Sequence, residues 1–242
     1  MMDKRIKKTL YVIGFSGLVI AGGLVLFAYS NSWNKTEIEF RIHINQELVL
    51  QSAFGEPPTF AIWMEDRESG KPQTVFVTRR AASGDWEGKA NVPVALPVWF
   101  EVYKKENLTD NLPTFEKPAP MAVTGATPKP GYFTTRVRVP KGSRWIGYIE
   151  VNLAGDFNEY YPEFDDKQKV SDTFLTGQPA LLYKAEIPAQ TGLKVKPELI
   201  GMAAPDTSNK NLLQPVKGIT TASDIFDQIE ISVVNARPKI ID

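Results

Sequence analysis

The chain has 242 residues, no cysteine and a formal net charge of zero, from 28 basic and 28 acidic residues. Without cysteine it forms no disulfide, no zinc–thiolate site and no iron–sulfur cluster of its own. The balanced charge argues against nucleic acid as a partner, because proteins that bind nucleic acid need a concentrated basic face.

The first thirty residues carry the clearest pattern. Four basic residues between Lys4 and Lys8 precede an uncharged, mainly apolar run from Leu10 to Tyr29. About 20 helical residues rise about 30 Å, the thickness of the hydrocarbon core of a bilayer. A cleavable signal peptide ending near Ser30 is the alternative, but signal peptides have apolar runs of about 7 to 15 residues. The length therefore favours a retained transmembrane anchor.

This pattern divides the chain into four segments. We predict a cytoplasmic basic tail over residues 1–8, a single transmembrane helix over 9–30, a linker over 31–36 and an extracytoplasmic β-rich domain over 37–242. Positive residues stay on the cytoplasmic side, so the N-terminus is expected in the cytoplasm and the domain in the periplasm or outside the cell. Without the five charged residues of the tail, 24 basic and 27 acidic residues remain. The predicted localisation is the inner (cytoplasmic) membrane.

The predicted elements of the domain are mostly strands. Alternating apolar residues predict a half-buried strand over Glu37–Leu50. Thr59–Glu65 and Thr74–Arg79 flank turn residues and predict a hairpin. Leu96–Glu106 has Pro97 near its start and predicts a short helix, although its apolar spacing also fits a strand. Further strands are predicted at Phe133–Val139, Trp145–Leu153, Ala180–Ile187, Glu198–Met202 and Gln228–Val234, with a helical turn at Thr220–Phe226.

Short strands separated by turns predict a mainly β fold, an immunoglobulin-like antiparallel β-sandwich with long loops. The longest irregular segment, Asn107–Gly131, contains five prolines. A loop of that length in a compact domain is usually either functional or poorly ordered.

Two groups of residues are candidate interaction sites. Arg136, Arg138 and Arg144 form a local basic strip that could receive an acidic partner or lipid headgroups. Tyr160 and Tyr161 lie in an acidic, aromatic stretch that could form a docking surface. We predict no catalytic residue, because the only histidine, His43, has no adjacent nucleophile. We predict no metal site, because the acidic stretch 156–166 lacks the glycine and ligand spacing of an EF-hand loop.

The segment Ala122–Gly131, AVTGATPKPG, resembles the segment Ala-Val-Ser/Thr-Gly-Ala-Thr-x-x-Pro-Gly of DUF2271, a family of predicted periplasmic proteins. The run Phe60–Asp66, the segment Thr74–Thr78, Trp86 and Trp99 agree with the same family. The resemblance covers about residues 37–161. It implies a β-rich extracytoplasmic domain in a family often discussed beside flavin-dependent membrane electron transfer.

The same run is similar to the flavinylation site of FMN-binding domains, Asp-x-x-Ser/Thr-Gly-Ala/Ser-Thr. That resemblance implies FMN attached through its phosphate to Thr127, preceded by Thr124, Gly125 and Ala126. The sequence departs from the motif at its aspartate, where Met121 stands. A turn that holds the loop against the sandwich is the structural alternative.

Three functions are consistent with the sequence. We favour a membrane-anchored, non-catalytic accessory or scaffold subunit, without a cofactor, that docks onto other envelope proteins, including those of a redox complex. The alternatives are an electron-transfer protein carrying covalent FMN at Thr127, and a small-solute or glycan-binding domain using Trp145, Tyr160 and Tyr161.

Overall fold

The fold of the computed structural model is mainly β, as predicted, with more strand than helix. The structure describes residues 4–84, 95–120, 124–126, 128–167, 170–203 and 213–239, and it does not describe the side chains of residues 4–15, 18, 124 and 170. The described helices are α1 (Lys4–Trp33), α2 (Gln46–Gln51), α3 (Arg79–Ser83) and α4 (Pro97–Asn107), with a 3₁₀ turn at Thr221–Asp224.

The described strands are β1 (Lys35–Ile44), β2 (Thr59–Asp66), β3 (Pro72–Thr78), β4 (Thr124–Gly125), β5 (Gly131–Pro140), β6 (Arg144–Asn152), β7 (Phe164–Asp165), β8 (Val170–Ser171), β9 (Ala180–Pro188), β10 (Lys194–Val195), β11 (Glu198–Ala203), β12 (Leu213–Gln214) and β13 (Phe226–Asn235). The predicted hairpin and the five later strands all appear among them. Pro97 opens α4, which confirms the helix prediction there.

The strands form two main sheets. Sheet A has the order β10-β13-β1-β5 and is antiparallel throughout. Sheet B has the order β12-β11-β9-β6-β2-β3-β4, in which only β4 runs parallel to its neighbour. An immunoglobulin-like sandwich has three to five strands in each sheet, whereas sheet B has seven.

The main core lies between the two sheets. Alternating residues of each strand face it because side chains alternate across a sheet. Its fully buried members include Ile38, Phe40, Ile42, Phe60, Ile62, Met64, Ile149, Leu181, Ile187 and Ile231.

A second core lies on the other face of sheet B, under α3 and α4. Trp99 of α4 is fully buried there against Trp63 and Leu182 of the sheet, with Ala61, Val77, Ala81, Ala82, Leu96 and Ala119 around it. The fold therefore has three layers, with helices covering the outer face of sheet B. The sequence patterns had predicted only two.

The structure corrects the predicted strand Glu37–Leu50. β1 ends at Ile44, and α2 begins at Gln46. The reason is local, because the Asn45 side-chain oxygen accepts hydrogen bonds from the backbone N–H groups of Glu47 (3.0 Å) and Leu48 (3.4 Å). This N-cap stabilises a helix start and stops the strand.

The N-terminal segment is helical and runs almost directly into sheet A. α1 ends at Trp33 and β1 starts at Lys35, so the predicted linker over residues 31–36 is occupied by these two elements. Within the part of the chain that the structure describes, no helix is long and apolar enough to cross a membrane. The side chains of residues 9–15 and 18 of the predicted span, and residues 1–3 of the predicted tail, lie outside that part.

Candidate functional site

The segment that resembles the flavinylation motif lies at the edge of sheet B. Thr124 and Gly125 form β4, paired in parallel with Val77 and Thr78 of β3. Ala126 is exposed. Thr127, the predicted attachment residue, lies outside the described residues, as do Met121 and the side chain of Thr124.

Gly125 has a packing role in addition to its place in the motif. A side-chain carbon added at this position would overlap the edge of the Phe76 ring. That ring is itself held by Phe133 and Phe60, with ring centroids 4.5 Å and 5.1 Å away. The absence of a side chain at Gly125 therefore lets the loop approach the sheet.

We expect Gly125→Ala to lower the free energy of unfolding by about 1–3 kcal/mol, because the packed Phe76 ring cannot move aside without strain. Urea denaturation of the two proteins measures this difference. Ala126→Ser is the matched control, since Ala126 is exposed and its replacement should stay within about 0.5 kcal/mol of wild type. An unchanged urea midpoint for Gly125→Ala would contradict the packing role.

The predicted basic strip is largely neutralised by carboxylates of β1. The register places Glu37 opposite Arg138 and Glu39 opposite Arg136. Arg136 pairs with Glu39, and Arg138 lies 3.5 Å from a carboxylate oxygen of the buried Glu37. Arg144 lies apart at the start of β6, exposed to solvent. These three arginines therefore do not form one basic surface.

The aromatic candidates are also divided. Tyr160 is 65% exposed, whereas Tyr161 is half-buried and donates its hydroxyl to the backbone oxygen of Lys217 at 2.8 Å. Trp145 is buried at the opposite end of β6. The strand from Trp145 to Asn152 alone spans about 23 Å, so the three residues proposed for glycan binding do not share a surface.

His43 has a structural partner on the outer face of sheet A. Its Nδ1 atom lies 2.7 Å from Asp227, and its ring lies 4.6 Å from that of Tyr132. Among the described residues, no group of three or more histidine or acidic side chains is arranged to hold a metal ion.

Asp156, from the predicted acidic stretch, connects three loops. Its carboxylate accepts hydrogen bonds from Thr221 at 2.7 Å and from the Gln178 amide at 2.8 Å. The Gln178 side-chain oxygen in turn accepts the backbone N–H of Thr220 at 2.8 Å. Burial raises the pKa of Asp156, and these two hydrogen bonds oppose the rise. Its role is to hold the end of the sandwich together.

A polar cluster beneath α4 was not predicted. Glu150 of β6 is fully buried between Ala61 and Leu182 of the neighbouring strands. Its two oxygens accept the backbone N–H groups of Val98 (3.1 Å) and Trp99 (2.6 Å) at the start of α4. A glutamate of the sheet thus satisfies two backbone donors that every helix leaves open at its N-terminus.

A second glutamate attaches the other end of the helix. Glu106 accepts the backbone N–H and the hydroxyl of Thr74 of β3, at 3.0 Å and 2.6 Å. The Thr74 hydroxyl oxygen accepts the indole N–H of Trp99 at 3.3 Å. Glu150, Trp99, Thr74 and Glu106 therefore connect both ends of α4 to sheet B. A strand glutamate between Ile149 and Val151 is the only sequence signal of this cluster, and such a position usually faces water.

Burial raises the pKa of Glu150 to about 8, although the N–H groups of Trp99 and Val98 act in the opposite direction. A buried carboxyl with a raised pKa can mark a catalytic group. Here both oxygens are occupied by the backbone of α4, so the arrangement is that of a structural attachment.

The predicted site residues thus lie in separate places: β4 at the edge of sheet B, the arginines on β5 and β6, and the tyrosines beyond β6. The structure brings together instead the cluster beneath α4. No protein-family model matches the chain, and neither does any curated protein or solved structure.

Proposed function

We propose that this protein is a membrane-anchored, extracytoplasmic and non-catalytic accessory subunit that docks onto other envelope proteins. The observation that carries the proposal is the surface of α1. From residue 19 to residue 29 its large apolar side chains are 46–73% exposed: Val19, Ile20, Leu24, Val25, Leu26, Phe27 and Tyr29. A helix that is apolar on every side needs an apolar environment.

The junction between α1 and the sandwich supports the same proposal. The Ser32 hydroxyl contacts the backbone oxygen of Arg237 at 3.2 Å, and the N–H of Arg237 is 3.2 Å from Glu37. The C-terminal strand end therefore holds the last turn of α1. Such an attachment would fix the domain at a defined height above the bilayer.

If α1 is a membrane anchor, the protein should resist extraction from membranes at alkaline pH. Full-length protein should remain with membranes, whereas Val19→Glu/Leu24→Glu should be released, because each charge at the centre of a span costs about 2.5–3.5 kcal/mol. Leu50→Glu is the control, since Leu50 is a 66% exposed residue of the domain. Release of the unmodified chain would rule out the anchor.

Docking is tested by gentle purification of the full chain from its native membranes. We expect one or more envelope proteins to accompany it in constant ratio. Tyr160 is the more exposed of the two candidate tyrosines and is therefore the residue to replace. Tyr160→Ser should lower the amount of partner protein that is recovered. Repeated recovery of the chain alone, as a monomer, would count against an accessory subunit.

A second candidate function is electron transfer with covalent FMN on Thr127, in line with the proposed relationship to the DUF2271 family. Its support is the position of β4 at a sheet edge next to the exposed Ala126, where a modifying enzyme could reach. Intact mass spectrometry and a visible spectrum of native protein test it. One FMN increment that disappears in Thr127→Ala would establish the carrier, and an unmodified mass would exclude it.

A further inference from the structure

We propose that the end of the sandwich next to α1 binds the anionic headgroups of membrane lipids through a basic collar. The collar consists of five exposed residues, Lys71, Lys141, Arg144, Arg237 and Lys239. The inference rests on the proposed anchor, and it adds a specific lipid contact that an anchor alone does not require.

Backbone hydrogen bonds place the collar around the exit of α1. The N–H of Lys141 donates to the backbone oxygen of Asn34, the residue between α1 and β1, at 2.8 Å. The N–H of Arg67, in the β2–β3 turn, donates to the oxygen of Arg144 at 3.0 Å. On the other side of the junction, Arg237 contacts Ser32 of α1. Lys71 lies in the same β2–β3 turn, where its backbone oxygen accepts the N–H of Asp66 at 3.1 Å, and Lys239 follows Arg237 by two residues. The segments that carry the collar therefore meet at one end of the molecule.

The charges at this end are available for a partner. Among the described residues, none of the five collar side chains is paired with a carboxylate. Five carboxylates lie at the same end, on Glu37, Glu65, Asp66, Glu68 and Glu186. Glu37 accepts the backbone N–H of Arg237 and lies 3.5 Å from Arg138. Glu186 is paired with Arg67 at 2.7 Å, and Asp66 accepts the backbone N–H groups of Glu68 and Ser69.

The excess of positive charge is local. With Lys35, Arg67 and Arg138, this end has eight basic and five acidic residues, whereas the chain after the tail has 24 basic and 27 acidic residues. The domain as a whole thus has a net negative charge, whereas the end from which α1 emerges has a net positive charge. Basic groups within a Debye length, about 8–10 Å, of an anionic bilayer are attracted to it, by roughly five-fold in binding for each charge.

Aromatic residues at the same junction favour a bilayer over a soluble anion. Trp33, the last residue of α1, is 81% exposed, and Tyr29 lies one turn before it and is 60% exposed. Tryptophan and tyrosine prefer the level of the lipid headgroups. The collar and these two rings would then contact the same interfacial layer.

The test uses the absence of cysteine from the chain. Gln190, exposed in the turn that contacts Gly142, is replaced by cysteine in the full-length protein and labelled with a fluorescent donor. The protein is reconstituted in vesicles of phosphatidylcholine, with or without phosphatidylglycerol, containing a headgroup-labelled acceptor. We expect energy transfer to rise with phosphatidylglycerol and the rise to disappear at high salt.

The variant Lys141→Glu/Arg144→Glu should lose the phosphatidylglycerol-dependent rise. Lys129→Glu/Lys217→Glu, an equal charge change at exposed lysines away from the collar, should keep it. Equal transfer in the two lipid mixtures, or equal loss in both double variants, would overturn the collar while the anchor stands. Extraction of the unmodified chain from both kinds of vesicle at alkaline pH would instead overturn the anchor.

Discussion

Replacing Trp99 with alanine should lower the free energy of unfolding by about 3–5 kcal/mol, the range for a large aromatic side chain removed from a packed core. Trp99 is 0% exposed and is the largest fully buried side chain among the described residues. It fills the space between α4 and sheet B, and its indole N–H is bonded to Thr74. The cavity and the lost hydrogen bond act together.

Two variants separate these effects. Trp99→Phe keeps most of the buried ring but removes the indole N–H, so it should cost about 1–2 kcal/mol. Trp33→Ala removes the same side chain from an exposed position and should change stability by less than about 0.5 kcal/mol. Chemical denaturation followed by circular dichroism measures all three. A loss in Trp99→Ala no larger than that in Trp33→Ala would mean that α4 contributes little to the fold.

The elements that sequence reasoning identified depend on local patterns. The strand over residues 37–44 has strict alternation, the hairpin has Gly70 in its turn, and α4 begins with Pro97. The alternating pattern gave a wrong prediction after Ile44, because the spacing of Leu48 and Leu50 fits either a strand or a short helix. There the Asn45 cap decided the outcome.

The site residues were harder to predict because their environment is set by distant segments. The sequence around Arg136 and Arg138 contains no acidic residue that would pair with them. Glu39 and Glu37 come to lie opposite them only through the register between β1 and β5. Glu150 alternates with buried residues as a solvent-facing residue would. It is buried because α4, more than 40 residues earlier in the chain, covers that face of the sheet. No periodicity within a strand carries such information.

The buried Glu150 carboxyl should make the protein less stable as the pH rises. Its pKa is about 8 in the folded protein, against an ordinary value of 4.5. The folded state therefore holds a proton that the unfolded state has lost between these two values, so the free energy of unfolding falls with pH. The stabilisation is complete below about pH 4.5 and lost above about pH 8. One pKa unit is worth about 1.4 kcal/mol, so the total is on the order of 5 kcal/mol.

Glu150→Gln isolates this effect because a glutamine does not ionise. As the pH rises from 5 to 9, we expect wild type to lose stability relative to Glu150→Gln. The change in their difference in free energy of unfolding should be on the order of 4 kcal/mol. Trp99→Phe is the control, since it is destabilised but retains the buried carboxyl and should keep the wild-type slope. Asp156, whose pKa is also raised by burial, contributes a fall of the same sign that both variants retain.

The loss should begin at α4, because ionised Glu150 lies directly beneath its first turn. A negative charge there is favoured by the helix N-terminus, but burial away from water opposes it more strongly. Amide hydrogen exchange, corrected for its intrinsic pH dependence, should therefore show α4 opening at alkaline pH before β1 and β13 of sheet A. In Glu150→Gln the two regions should keep the same relative protection from pH 5 to 9. Equal opening of α4 in both proteins would show that the carboxyl does not control the attachment of the helix.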